Sequence, residues 1–215
     1  MRYEYNGREI FPRVEYVPHQ VFPHLAGLQI RAFYDDPAAT AKAYRIGNEF
    51  VSDTFKGMVN KSIPLPMPLS YGHLICLGAE WVLPDDAEPY VLPCVDSIAQ
   101  GRAMVERAMG MDFSRNEVVR HYISFIDALR KEFPDTVIPF IGPRVQGPIT
   151  SAVLMRGQDF WIDMMEEPEE TAEFILMLSD SIVEYRKFLN TMNGKPSVAA
   201  TRESIFDDYP GSVPD

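Results

Sequence analysis

The sequence predicts an α/β fold built on parallel strands. Three observations point there. Short β-branched or aromatic runs fit for strands alternate with amphipathic helical stretches. The connections between them are short, as strand–helix units require. The two strongest helical stripes, over 114–133 and 168–193, each lead into an apolar run suited to a buried strand. Chemistry in such folds gathers at the carboxyl ends of strands.

Each element has a local reason. Residues 1–34 are rich in aromatics, and Pro12, Pro18 and Pro23 rule out a long helix, so an extended, packed arm is expected. A helix begins after Asp35 or Asp36, with Pro37 in its first turn and Tyr44, Val51, Phe55 and Met58 at helical spacing. "SIPLPMPLSY" (62–71) is apolar but broken by prolines, an extended segment with a disrupted ladder. "YGHLICLG" reads as a short helix stopped at Gly78, followed by the strand "EWVL" and an acidic loop over 85–97.

"SIAQGRAMVERAMG" is a modest helix. The stretch 114–133 opens on a Ser114/Glu117 capping box and carries Val118, Tyr122, Ile126, Leu129 and Phe133 on one stripe. "TVIPFIG" reads as a buried strand, and a Gly/Pro turn then leads into a helix. The longest helix opens at Pro168, buries Ile175, Leu178, Ile182, Tyr185, Leu189 and Met192, and ends near Gly194. A last strand is read over 198–206, and the three clearest strands are expected to pair in parallel.

Bulk properties narrow the function. The chain has 215 residues, 46% of them apolar, enough for a sizeable core in one domain over 1–215. A net charge of -11 disfavours nucleic acid and anionic membrane surfaces. Cys76 and Cys94 make no disulfide framework. The first residues lack the apolar core of a signal peptide, and no apolar run approaches the ~20 residues that span a bilayer, so a cytoplasmic protein is expected.

Five stretches resemble the uroporphyrinogen decarboxylase superfamily, in the right order: "YDDPAATAKAY", "CLGAEWVLPDDAEPYV", "GPITSAVLMRG", "EEPEETAEFILMLSDSIVEY" and "IFDDYPG". The "LGAE" stretch is similar to the corrinoid-linked methyltransferase branch. The resemblance implies a TIM-barrel-type (β/α)8 fold, which takes about 250 residues, so the chain is expected to stop partway round as a partial barrel. The part beyond it would carry the His-x-Cys zinc ligands of the methyltransferase branch. No metal site is expected within this chain.

Asp207 and Asp208 follow the last expected strand, where a barrel keeps its active site. Asp207 matches the family's F-D aspartate, and the competing reading is a solvated acidic turn. The resemblance makes Arg31 the nearest candidate for the carboxylate-binding arginines of the decarboxylases; Arg144, Arg156 and Arg202 are read as barrel-mouth arginines able to bind carboxylate or phosphate, and Tyr209 as a rim aromatic or an acid. Each arginine can also be read as lying over the rim. Thr150 is read as a helix cap or a ligand contact. His73 and Cys76 are read as a buried histidine and a core cysteine, His19 and His24 as packing residues, and His121 as facing the polar side of its helix.

The expected chemistry is tetrapyrrole-linked. Corrinoid-dependent methyl transfer is favoured over porphyrinogen decarboxylation, because 65–72 holds no acid where the decarboxylases place their catalytic aspartate. A small molecule or a corrinoid protein is the expected partner, with self-association through an exposed sheet edge. True porphyrinogen decarboxylation, and a non-catalytic fragment or binding module, are the alternatives.

Overall fold

The computed structural model describes residues 3–5, 8–10, 17–66, 69–140 and 142–192. Strands β1 (Tyr3–Tyr5) and β2 (Arg8–Ile10) form an antiparallel pair. Two short helices follow, α1 (Val21–Leu25) and α2 (Ile30–Asp35). Helix α3 (Pro37–Phe55) starts where the sequence places it: the Asp36 carboxylate accepts from Ala38 N–H at 2.8 Å, and Pro37 takes the first helical position. It stops at Lys56, in the left-handed region (φ 48°). Helix α4 (Gly72–Leu77) ends at Gly78 (φ 111°), a conformation that glycine adopts without strain.

Strand β3 (Trp81–Val82) pairs antiparallel with β4 (Tyr90–Val91), which lies inside the segment read as loop. Helix α5 (Ile98–Ala108) is capped by Ser97, whose hydroxyl accepts from Gln100 N–H at 3.3 Å. Helix α6 (Glu117–Glu132) is capped by Asn116 rather than Ser114; Ser114 lies one turn earlier and is held by Asp112. Helices α7 (Pro148–Arg156), α8 (Phe160–Glu166) and α9 (Pro168–Met192) complete the described chain. None of the described helices is long and apolar enough to cross a membrane.

Helix α9 organises the larger half. Phe174, Leu178, Ile182 and Tyr185 are fully buried along one face, and α4, α5, α7 and α8 pack around them. The part of the arm described from residue 17 on is helical rather than extended: Phe22 of α1 and Phe33 of α2 close on Tyr44 of α3 at 5.5 and 5.7 Å between ring centroids. Helix α6 bridges the two regions. Its Phe125, Ile126 and Leu129 meet Ala41 of α3 and the buried Ile138 and Phe140.

The barrel expectation is corrected here. The described chain is mainly helical, and its strands form two antiparallel pairs with no parallel pairing. The physical reason lies in the prolines. Alternate residues of a strand donate toward the same neighbour, so Pro64, Pro66 and Pro68 strip one whole edge of its donors. Pro139 and Pro143 interrupt the second run in the same way. Segments 61–66 and 137–140 accordingly belong to no strand or helix. The two runs still touch beyond these prolines, where Arg144 N–H donates to Leu69 C=O at 2.7 Å. The strand read over 198–206, and the sheet edge expected to drive self-association, lie outside the described residues.

Gly47 tests the packing of α1 on α3. In a helix interior alanine is favoured over glycine by about 1 kcal/mol. Here an added Cβ would overlap the ring of Phe22, which is fully buried. Gly47→Ala is expected to destabilise the fold by about 1–3 kcal/mol, the reverse of the propensity effect, as read by urea denaturation. A rise in stability would show that α1 does not sit on α3 in this way.

Candidate functional site

A cleft of about 510 Å3 opens between α2, α6 and the α4–β3 region. It is lined by Tyr34 and Asp35 from the end of α2, Ile75 and Trp81, and Asn116, Glu117, Val118, His121 and Tyr122 from the start of α6. The helical repeat explains the α6 contribution. Glu117 and His121 lie four apart, as do Val118 and Tyr122, so the two pairs form adjacent rows along one side. Tyr34 and Tyr122 are buried, Ile75, Trp81 and Val118 half-buried, and Asp35, Glu117 and His121 exposed. The cleft thus has an aromatic and apolar floor beneath a charged rim.

A polar cluster stands behind the two tyrosines. The Tyr34 hydroxyl donates a close hydrogen bond to the Glu88 carboxylate. Leu69 N–H donates to the Tyr122 hydroxyl oxygen at 3.1 Å. Burial pushes both phenols well above the ordinary tyrosine value; the Glu88 bond adds to the shift of Tyr34, while the Leu69 bond and the Arg144 charge partly oppose it at Tyr122. Both therefore stay protonated at working pH and serve as neutral polar groups, not bases. His19 is held below its usual value by burial and by the Arg144 charge, against an opposing pull from Glu88. Its buried Nε2 has no partner among the described residues.

A second buried polar group lies under α9. His73 is fully buried; its Nε2 meets Ser181 Oγ at 2.9 Å, and its Nδ1 has no partner among the described residues. The Tyr185 hydroxyl beside it donates to Pro143 C=O at 2.6 Å. Burial pushes the Cys76 thiol up to about 12 and raises Cys94 as well. Neither is the thiolate that a nucleophile requires. Among the described residues no group of three or more His, Cys, Asp or Glu side chains could hold a metal ion.

The residues chosen from sequence separate into three groups. Arg144 lies beside the cluster, where its charge acts on His19 and Tyr122. Arg31 stands at the rim of the cleft, exposed, 3.4 Å from both Asp35 and Asp85. Arg156 is committed elsewhere: it bridges Asp163 at 2.7 and 3.3 Å and Asp159 at 3.0 Å, tying α7 to α8. Thr150 is exposed and caps nothing, because Gly147 starts α7 without a side-chain cap. Asp207, Asp208, Arg202 and Tyr209 lie outside the described residues.

Sequence reading did not select Tyr34, Glu88, Trp81, Glu117 or Tyr122 as site residues. The one local signal was the Glu117/His121 spacing on a helix whose opposite side is core. No family model, curated protein or solved structure matches the chain.

The burial of His73 sets a pH dependence. Its folded value is lowered from 6.5 to about 3. The unfolded chain therefore takes up a proton that the folded chain refuses as pH falls below 6.5. The associated stability is complete above that pH and is lost toward pH 3, with a slope of up to about 1.4 kcal/mol per unit. His73→Gln is expected to be less stable than the parent at pH 7 and to lose less between pH 6.5 and 5. Parallel slopes for the two proteins in denaturation series would show that His73 is not held neutral.

Proposed function

We propose that the chain is a small-molecule enzyme of the methyl-transfer type and that the α2–α6 cleft takes a nitrogen-methylated organic cation. The lining of the cleft carries this reading: aromatic Tyr34, Trp81 and Tyr122 stand with the carboxylates Asp35 and Glu117, and the lining includes no lysine or arginine. An aromatic face holds an organic cation with about 0.5–2 kcal/mol. Glu117 at the rim adds attraction at longer range, Asp35 is shared with Arg31, and a net charge of -11 draws cations toward the protein.

The same charges disfavour porphyrinogen decarboxylation. A substrate bearing many carboxylates would meet Glu117 at the entrance, beside an Arg31 already shared between Asp35 and Asp85. The acid-free 65–72 stretch agrees with this, as does the resemblance of "LGAE" to the methyltransferase branch. The cleft has the size that suits a drug-like ligand. A corrin ring with its amide side chains exceeds it, so these residues do not enclose a corrinoid. A corrinoid would serve as a substrate presented from outside. The chain's own part is to hold the cation against the aromatic floor, with the protonated Tyr34 and Tyr122 keeping that floor neutral.

Calorimetry with tetramethylammonium tests the cleft. Binding is expected in the parent and is expected to weaken about tenfold, ~1.4 kcal/mol, in the Asp35→Asn/Glu117→Gln variant, with acetate showing none. Equal binding by both proteins would remove the cleft from the proposal. Incubation of a methylated ammonium donor with reduced cobalamin should yield methylcobalamin faster with the protein than without it. Conversion of uroporphyrinogen to less carboxylated porphyrins, followed by chromatography, would replace this reading with decarboxylation.

A further inference from the structure

Helix α8 turns its apolar side outward. Phe160 is its single fully buried residue. Trp161, Ile162, Met164 and Met165 are 50, 47, 37 and 77% exposed. On a helical repeat these four occupy one continuous arc, while Asp163 and Glu166 fall outside it. Scattered exposed apolar residues are ordinary; four large ones on a seven-residue helix form a patch.

The platform is rigid. Trp161 leans edge-on against Phe160, with ring centroids 5.6 Å apart. Arg156 pins Asp163 and Asp159, and the Thr171 hydroxyl donates to Asp163 C=O at 3.2 Å, which fixes α8 against α9. The Trp161 face is therefore held in place rather than waiting to fold inward.

The charge beside it is one-sided. Between Arg156 and Arg186 the chain has no lysine, arginine or histidine. Glu166, Glu167, Glu169 and Glu170 are exposed where α8 joins α9, and none has an ion pair among the described residues. Glu169 and Glu170 sit in the first turn of α9, so its positive end already has its complement.

We infer that the α8 face, with its adjoining glutamates, is a docking surface for a basic amphipathic helix of a partner protein. The partner's apolar side would cover Trp161, Ile162, Met164 and Met165, and its lysines or arginines would reach the Glu166–Glu170 run. Methionines suit such a surface because they adapt to the residues laid against them. Charge decides the occupant. A second copy placed two-fold on this face would bring one glutamate run toward another, and an anionic lipid surface would be repelled by the same run. No residue of α8 or α9 lines the cleft, so this surface is independent of the ligand site.

Fluorescence anisotropy with a labelled leucine–lysine amphipathic peptide tests it. The expected result is micromolar binding, at least tenfold tighter than for the same residues scrambled, and none for a leucine–glutamate counterpart. Met165→Glu, at the most exposed position of the face, should weaken binding at least tenfold. So should replacing the four glutamates by glutamine. Circular dichroism would confirm that both variants keep their helices. Unchanged affinity in either variant, or equal binding of the scrambled peptide, would overturn the proposal. A concentration-dependent dimer in sedimentation that Met165→Glu disperses would overturn it in favour of a second copy.

Discussion

Much of the described structure hangs on one buried row of α9. Phe174, Leu178, Ile182 and Tyr185 follow one another at helical spacing and are shielded fully from solvent. Helix α5 approaches closely because Gly101 leaves room for the Phe174 ring; a Cβ there would come within 2.9 Å of it. Ser181 holds α4 through His73, and the Tyr185 hydroxyl holds the extended run after α6 through Pro143. Burying such large side chains contributes about 1.5–3 kcal/mol each, and the polar anchors fix which neighbour lies where.

The prolines have a second consequence beyond breaking strands. An extended chain without a ladder leaves its carbonyls and amides to be satisfied by other groups. Side chains take over. Arg130 donates to Ile138 C=O at 3.2 and 2.9 Å, Tyr185 to Pro143 C=O, and Asn48 exchanges two bonds with Ser62. Tyr122 serves Leu69 in the same way. The Tyr122 hydroxyl that accepts from this segment also belongs to a side chain lining the cleft.

Charge is distributed unevenly over this frame. Arg156 is consumed within the fold, and Arg31 is shared between two carboxylates. The excess of acid therefore collects around the cleft, at Glu117 and at the Asp35–Arg31–Asp85 group with its two carboxylates to one base, and along Glu166–Glu170. Both regions combine carboxylates with aromatic or methionine surface, and both favour cationic company. They differ in shape. The first is concave and suits a small ligand; the second is a raised helix face and suits another helix.

Local physics was legible in the residues. Asp36 and Pro37 start α3, Ser97 starts α5 and Gly78 stops α4; of the stripe read on α9, Leu178, Ile182 and Tyr185 are fully buried, Ile175, Leu189 and Met192 are half-buried, and the fully buried Phe174 was not selected. The caps need only the chain within one or two turns. The strands were not legible in the same way. "TVIPFIG" has the composition of a buried strand, but a strand exists only where a second edge meets it, and the prolines deny that edge its donors. Trp81–Val82 does become a strand, paired with Tyr90–Val91, which reads as loop by itself. The cleft is a further step from the sequence. Tyr122 reads as a core residue of its helix and Trp81 as part of a short strand, and with Tyr34 they share a surface because α3 and α6 bring three distant stretches together. The sequence by itself determined several helix ends, at Asp36, Ser97 and Gly78, because a cap needs only the chain within a turn or two. Tertiary structure decided which extended runs pair and which side chains meet, because both depend on contacts between segments far apart in the chain.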